Sequence, residues 1–162
     1  MEVLYHNLYT HFVLITQNRY PAIVASHRER IEKYITGVAN NNKCKLYAIY
    51  ANSEHIHFLV SRDPSISEKE MAILIADASE KFINTNKLCN GRFSWQTSCS
   101  AFSVSKGDVD KVCKYILNQP IHHQKQTFAE EYDVMLKFYQ KTLKKKQENN
   151  GISGTGVDKP CY

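Results

Sequence analysis

The sequence predicts an α+β fold of ferredoxin-like (RRM-like) topology, in which helices cover one face of an antiparallel sheet and a further helix follows. Segments with strand and helix periodicity alternate in the order β-α-β-β-α-β, which is the order of that fold. Two of the strands are separated by a short polar turn, as in a hairpin. Polar residues typical of helix N-termini precede three of the predicted helices. This topology serves enzymes and RNA-recognition modules alike, so it does not decide function.

The first strand and the first helix lie in the N-terminal quarter of the chain. Tyr9–Thr16, with the sequence YTHFVLIT, is rich in aromatic and β-branched residues and predicts a strand. Ser26 and Glu29 fit a capping box, a reciprocal pair of hydrogen bonds that starts many helices. Apolar residues at helical spacing follow this box, namely Ile31, Tyr34, Ile35 and Val38. A helix is therefore predicted from the box to about Asn40.

A hairpin and a second helix come next. Lys45–Tyr50 and His55–Ser61 are predicted as the second and third strands, joined by a turn at residues 51–54. Ser67 and Glu70 form another capping box. The apolar stripe of a long helix follows it, made of Met71, Leu74, Ile75, Ala78 and Phe82.

A fourth strand region and a third helix complete the order. Phe93–Val104, with the sequence FSWQTSCSAFSV, predicts one or two strands. Ser105 and Asp108 fit a third capping box and open a helix that carries Tyr115. Pro120 should stop this helix within a residue or two, because proline has no amide hydrogen and disfavours helical backbone before it.

The C-terminal part divides into a helix and a tail. A last helix is predicted over about Phe128–Lys146. The remainder, QENNGISGTGVDKPCY, is polar and contains glycines, which is typical of a disordered tail. We therefore expect one folded domain over residues 1–146 and a disordered tail over residues 147–162.

Composition and charge limit the function classes. Hydrophobic residues at 43% and charged residues at 23% are ordinary for a soluble globular protein, and a net charge of +5 favours a phosphate-rich partner. The five cysteines are scattered without a CxxC pair, which argues against a zinc knuckle or a redox dithiol and suits a reducing cytosol. The N-terminus does not resemble a signal peptide, and no apolar run approaches the length of a membrane span. We expect a cytoplasmic protein with no membrane partner.

The third predicted strand contains the triplet His55-Ile56-His57. Side chains two apart on a strand point to the same face, about 7 Å apart along the chain. Two polar residues on a wet face would be the commoner explanation of such a triplet. The neighbouring apolar residues instead indicate a central, largely buried strand, where an imidazole needs a hydrogen bond or a metal. Two imidazoles on one face can converge on one cation, and histidine is the commonest metal ligand.

Tyr115 and Gln119 are four residues apart in YILNQ, so on one helix they would share a face. They border the apolar stripe of their helix, and a boundary tyrosine with a surface glutamine would explain them without any chemistry. In combination with the histidine pair, they suggest a His-His-Gln site for a divalent metal, magnesium or manganese, beside a phenol nucleophile. Such a site could cut a phosphodiester bond through a phosphotyrosine and rejoin it without ATP.

The chain resembles the HUH single-tyrosine transposases, in particular the bacterial insertion-sequence and REP-associated branch. The resemblance is carried by HIH, a gap of sixty residues and YILNQ followed by a proline, and it extends over about residues 9–139. It implies that Tyr115 is the catalytic nucleophile and that His55, His57 and Gln119 bind the metal. It also implies that residues 1–146 are an HUH transposase domain, that the substrate is single-stranded DNA recognised through a hairpin, and that the protein is a homodimer.

Two other functions stay open on sequence alone. One is a non-catalytic, domesticated ferredoxin-like protein that binds hairpins or single strands, and the other is a related replication or conjugation nickase. Candidate DNA contacts are aromatic and basic residues that could stack bases or bind phosphates, and they are Trp95, Arg92, Lys106, His122, His123, Lys141, Lys144 and Lys145. For the histidines and lysines, an ordinary solvated surface is the commoner explanation, and alternating aromatics in a sheet more often belong to a core.

Overall fold

The computed structural model describes residues 1, 3–122 and 127–137. The chain forms two compact units, residues 1–121 and residues 122–162. In the second unit, residues 128–137 are helical, and Thr127 and Glu130 form a capping box at their start. The predicted end of this helix at residue 146 and the predicted tail lie outside the described residues. Within the described residues, no helix has the length and apolar character needed to cross a membrane.

The first unit contains a four-stranded antiparallel sheet, with its strands in the order β2-β3-β1-β4. The strands are β1 (Tyr9–Thr16), β2 (Lys45–Ala51), β3 (His55–Ser61) and β4 (Trp95–Val104). The ferredoxin-like prediction is confirmed, since β2 and β3 form the predicted hairpin and the central strands are β1 and β3. The region predicted as one or two strands from Phe93 is a single strand that begins at Trp95.

In the described residues up to His122, four helices accompany the sheet: α1 (Arg28–Asn41), α2 (Glu68–Thr85), α3 (Val109–Leu117) and the single turn α4 (Gln119–His122). Helices α1 and α2 pack on one face of the sheet, against the core side chains of β1 and β3 such as Phe12 and Phe58. Helix α3 lies on the opposite face, where Val112 and Ile116 pack on Leu59. Because successive strand residues alternate between faces, β3 supplies both cores.

The helix N-termini show which capping predictions hold. Ser67 and Glu70 form the predicted box before α2, with both reciprocal hydrogen bonds present. The prediction for Ser26 is wrong, because a 3₁₀ turn over Ala25–His27 precedes α1 and the N-cap residue is His27, whose side chain makes no capping bond. Ser105 likewise precedes a 3₁₀ turn, and its hydroxyl donates to the Asp108 carboxylate instead of capping α3.

Replacing Ser67 with alanine should lower the free energy of unfolding by about 1 kcal/mol, because an amide hydrogen in the first turn of α2 loses its acceptor. Urea unfolding followed by circular dichroism measures this change. The matched control is Ser26→Ala, since Ser26 fits the same motif but caps no helix, and we expect a change within about 0.5 kcal/mol. Equal effects of the two substitutions would contradict the assignment of Ser67 as the functional cap.

Candidate metal and tyrosine site

The two histidines of the HIH triplet lie on the α3 face of the sheet, as their spacing predicts. His57 is paired with Val13 of β1 and with Tyr50 of β2, and His55 is paired with Ile15. Both imidazoles are buried, with exposed fractions of 0% for His55 and 1% for His57. Their ring centroids are 4.9 Å apart, and a ligand nitrogen of one lies within 4.8 Å of a ligand nitrogen of the other. A divalent cation could therefore be reached by both rings with a small adjustment.

A third histidine, His11 of β1, contacts the pair from the neighbouring strand. Its Nε2 atom lies 3.0 Å from Nδ1 of His57, and both rings are buried. Burial lowers the pKa of His11 to about 3, because the surroundings cannot solvate an imidazolium. The ring is thus neutral at ordinary pH. His11 is the single imidazole in the apolar segment YTHFVLIT, a signal that could have identified it, but our sequence-based prediction omitted it.

Tyr115 of α3 lies over the same part of the sheet. Its ring is half-buried and packs against the small core beneath α3. The ring centroid is 5.9 Å from that of His57, with an interplanar angle of 87°, and 6.2 Å from that of His11. The structure therefore brings the phenol beside His57 and His11 within one chain.

Gln119 is linked to His55 by the side chain of Asn52. It is fully buried, and its Oε1 atom accepts a hydrogen bond of 3.1 Å from Nδ2 of Asn52, in the β2–β3 turn. The same Nδ2 atom lies 2.9 Å from Nε2 of His55. Asn52 is thus a shared neighbour of two predicted metal ligands, and the sequence carried no sign of it beyond its place in the turn.

The predicted relation between Tyr115 and Gln119 needs correction. The two residues do not share one continuous helix, because α3 ends at Leu117 and Gln119 begins the separate turn α4. Pro120 explains this break: its ring excludes the regular helical hydrogen bond and restricts the residue before it. Gln119 is consequently placed by the α3–α4 junction, and not by the 3.6-residue period that the prediction used.

The donor set of this site suits a divalent cation. Two neighbouring imidazole nitrogens and an amide oxygen are neutral ligands that magnesium or manganese accepts, and the imidazoles favour manganese. The assignment of His55, His57 and Gln119 as metal ligands and of Tyr115 as nucleophile stays a prediction.

The candidate DNA contacts fall into four groups. Trp95 is a core residue, only 6% exposed, and its indole N–H donates to the buried Ser79 hydroxyl at 2.9 Å, so its ring offers no face for base stacking. Arg92 and Lys106 are exposed, and Lys106 lines an open cleft of about 420 Å³ beside the N-terminal segment. The backbone of His122 ends α4, and the remaining candidates lie outside the described residues, namely His123, Lys141, Lys144 and Lys145.

Replacing Ser79 with alanine should test the place of Trp95 in the core. The substitution leaves the buried indole N–H without its acceptor, so we expect the free energy of unfolding to fall by about 1–3 kcal/mol. Denaturant unfolding followed by the fluorescence of Trp95, the one tryptophan in the chain, measures this. Any affinity for DNA should stay within about twofold of wild type, because Ser79 and Trp95 are both buried and cannot contact a ligand. A loss of affinity in the folded variant without loss of stability would show that Trp95 serves binding instead.

The matching family model and two similar solved structures are all of transposases. The family model described as "Transposase IS200 like" matches residues 4–119. A candidate transposase from Deinococcus radiodurans has a similar fold, with a TM-score of 0.57 and 19% identity, over 74% of this chain and 96% of that one. A REP-associated tyrosine transposase bound to a REP hairpin also matches, with a TM-score of 0.57 and 14% identity, over 76% of this chain and 72% of that one. The comparison with curated proteins found no significant match.

Proposed function

The chain belongs to the IS200-like transposase family, and we propose that it cleaves and rejoins single-stranded DNA through a covalent 5′-phosphotyrosine at Tyr115. The proposal includes a divalent metal, magnesium or manganese, held by His55, His57 and Gln119. This agrees with the family resemblance carried by the HIH and YILNQ motifs. It makes the protein a single-strand endonuclease and strand transferase.

One observation carries this proposal above the others: the Tyr115 ring lies 5.9 Å from the His57 ring within a single chain. These residues are 58 positions apart on different elements, and the chain has ten tyrosines. Packing alone does not require a phenol above the buried histidines, because the buried residues of the core beneath α3 are all aliphatic. The juxtaposition supports a site in which the phenol attacks a phosphate bound at the imidazoles.

The proposed covalent step conserves the phosphodiester bond energy. The Tyr115 oxygen loses its proton and forms a bond to phosphorus, while the bond between phosphorus and the 3′ oxygen of the preceding nucleotide breaks. The departing 3′ oxygen takes up a proton, and the 5′ phosphate stays on the tyrosine. Attack by a DNA 3′-hydroxyl reverses the step, because a phenolate leaves more readily than an alkoxide. Strands are thereby rejoined without ATP.

The chain's own residues orient this reaction. His55 and His57 lie on the central strand β3, which is paired with β1 on one side and with β2 on the other, so the backbone ladder fixes their positions. Tyr115 is fixed by the packing of α3, which leaves its half-buried ring at the edge of the site. A bound divalent cation would polarise a phosphoryl oxygen and offset developing negative charge. Positioning on rigid elements of this kind lowers the entropy cost of the attack.

Hairpin DNA is the proposed substrate. A structurally similar transposase is bound to a REP hairpin, and the net charge of +5 suits a polyanion. Among the described residues, we propose that exposed Arg92 and Lys106 contact phosphates. Lys106 starts the 3₁₀ turn directly before α3, so a strand held there would approach the helix that carries Tyr115. The proposed contacts at His122, His123, Lys141, Lys144 and Lys145 rest on charge and sequence position.

We also propose that the protein is a homodimer, as the resemblance implies. Strand β4 is an edge of the sheet, ten residues long, and within the described part of the chain it pairs only with β1. Exposed strand edges are ready to pair with a second copy. Light scattering of the purified protein should give twice the chain mass of 18.7 kDa, and a monomer at all concentrations would contradict the dimer.

Incubation with labelled single-stranded hairpin DNA and manganese tests the proposed reaction. We expect a covalent protein–DNA adduct on a denaturing gel, together with a free 3′-hydroxyl fragment. Chelation of the metal with EDTA should abolish the adduct, while a gel-shift assay should still detect hairpin binding. Magnesium should support the same products.

The alternative is a non-catalytic hairpin-binding protein, and the same assay separates it from the enzyme. Hairpin binding with no adduct under any divalent metal would establish the binding protein and overturn the transferase. An adduct that forms equally well after chelation would retain the tyrosine chemistry but contradict the metal site.

A further inference from the structure

We propose that His11 is a positioning residue that holds His57 in the tautomer with its proton on Nδ1, so that Nε2 of His57 faces the cation. This inference rests on the proposed function, since it concerns the proposed metal ligand His57. It begins from the short contact of 3.0 Å between Nε2 of His11 and Nδ1 of His57.

The contact allows only two arrangements of the shared proton. A neutral imidazole has one N–H donor and one acceptor nitrogen. If His11 donates from Nε2, then Nδ1 of His57 is the acceptor and its Nε2 carries a hydrogen, which prevents metal binding through that atom. If His57 donates from Nδ1, its Nε2 lone pair is directed away from His11 and can bind a cation. The metal function of His57 therefore requires His11 to be the acceptor.

The fold fixes this acceptor in place. His11 lies in the middle of β1, paired with Leu59 of β3 and with Phe102 of β4. Its ring is 1% exposed, and its centroid is 5.2 Å from that of His57. A buried ring between two strands has little freedom to turn away from His57. In metalloproteins, partners of this kind orient the ligand imidazole, and their loss typically weakens metal binding 10- to 100-fold.

Three variants separate the acceptor role from packing. His11→Leu fills the space but removes the acceptor, whereas His11→Gln offers an amide oxygen that can accept from Nδ1 of His57. The matched control is Phe102→Leu, because the Phe102 ring neighbours His11 at 6.2 Å but the substitution leaves the nitrogen contact intact. Thermal unfolding of each variant shows that it is folded.

Histidine tautomers give the first readout, without any activity. Long-range ¹H–¹⁵N correlation spectra of the metal-free, ¹⁵N-labelled full chain should show His57 protonated on Nδ1. Protonation of His57 on Nε2 in the wild type would overturn the proposal, whatever the variants do. In His11→Leu we expect the Nδ1–H signature to be lost, and in His11→Gln to be retained. An unchanged signature in folded His11→Leu would equally overturn it.

Manganese affinity gives the second readout, by titration calorimetry. His11→Leu should bind about 10-fold more weakly than wild type, while His11→Gln and Phe102→Leu should stay within about threefold. Equal affinities of wild type and His11→Leu would overturn the proposal. The adduct assay on the same samples keeps the two hypotheses apart. Weaker metal binding in His11→Leu with no adduct in wild type rejects the transferase but retains the role of His11. An adduct in wild type with unchanged metal binding in His11→Leu retains the transferase but rejects the role of His11.

Discussion

A Tyr115→Phe variant should form no covalent adduct with hairpin DNA under conditions in which the wild type does. The substitution removes one oxygen atom and keeps the ring, so the packing of Tyr115 under α3 is retained. Since the phenol oxygen is the proposed nucleophile, no other atom of the ring can form the bond to phosphorus. We expect the rate of adduct formation to fall by more than about 1,000-fold, as for other nucleophile deletions. Denaturing gels and mass spectrometry of the linked peptide measure it.

The control for this variant is Tyr50→Phe. Tyr50 is also a half-buried tyrosine, and it lies on β2 directly beside His57. Its hydroxyl accepts a hydrogen bond of 2.8 Å from Arg28, which gives it a structural task unrelated to phosphate attack. Adduct formation by Tyr50→Phe should stay within a few fold of wild type. Full activity of Tyr115→Phe, or a linked peptide that maps to another tyrosine, would contradict the assigned nucleophile.

The sequence predicted most of the sheet because strand periodicity and burial coincide there. The apolar residues Ile56 and Phe58–Val60 indicated a central, buried strand, and in the structure β3 covers His55–Ser61 with every residue but the last buried. Helix starts were less predictable. The capping motif at Ser67 forms its hydrogen bonds, whereas the same motif at Ser26 is displaced by a 3₁₀ turn. That outcome depends on how the chain enters the helix, which a local motif does not encode.

In the site, too, local periodicity predicted some features, whereas contacts between distant parts of the chain could not be predicted. The shared face of His55 and His57 follows from the two-residue period of a strand, and the structure has them side by side. His11 contacts His57 because of the strand register, and Asn52 contacts His55 and Gln119 because of the turn geometry. Residue spacing along the chain therefore does not predict these contacts. Gln119 shows the limit of periodicity most clearly. Its distance of four residues from Tyr115 predicted a shared helix, but the proline after it breaks the helix and a turn residue holds its side chain instead.

His57→Ala should abolish the covalent adduct while leaving hairpin affinity within a few fold. His57 is the histidine that contacts both the His11 ring and the Tyr115 ring, so its removal disrupts the proposed cation site next to the nucleophile. Metal stabilisation of the transition state is worth several kcal/mol, and we therefore expect adduct formation to fall by at least about 100-fold. Hairpin binding depends mainly on surface charges and should survive. Adduct assays and gel shifts on the same protein measure both.

Two further variants make this prediction specific. His57→Leu fills most of the buried space but offers no metal ligand, so it separates the loss of the imidazole ligand from the cost of a cavity, and it should be as inactive as His57→Ala. His27→Ala removes a half-buried histidine at the start of α1, outside the site, and should retain activity. Hairpin affinity that falls as far as cleavage does would mean that His57 serves DNA binding and not a metal. Cleavage by folded His57→Ala at the wild-type rate would remove the imidazole pair from the mechanism and leave Tyr115 to act without it.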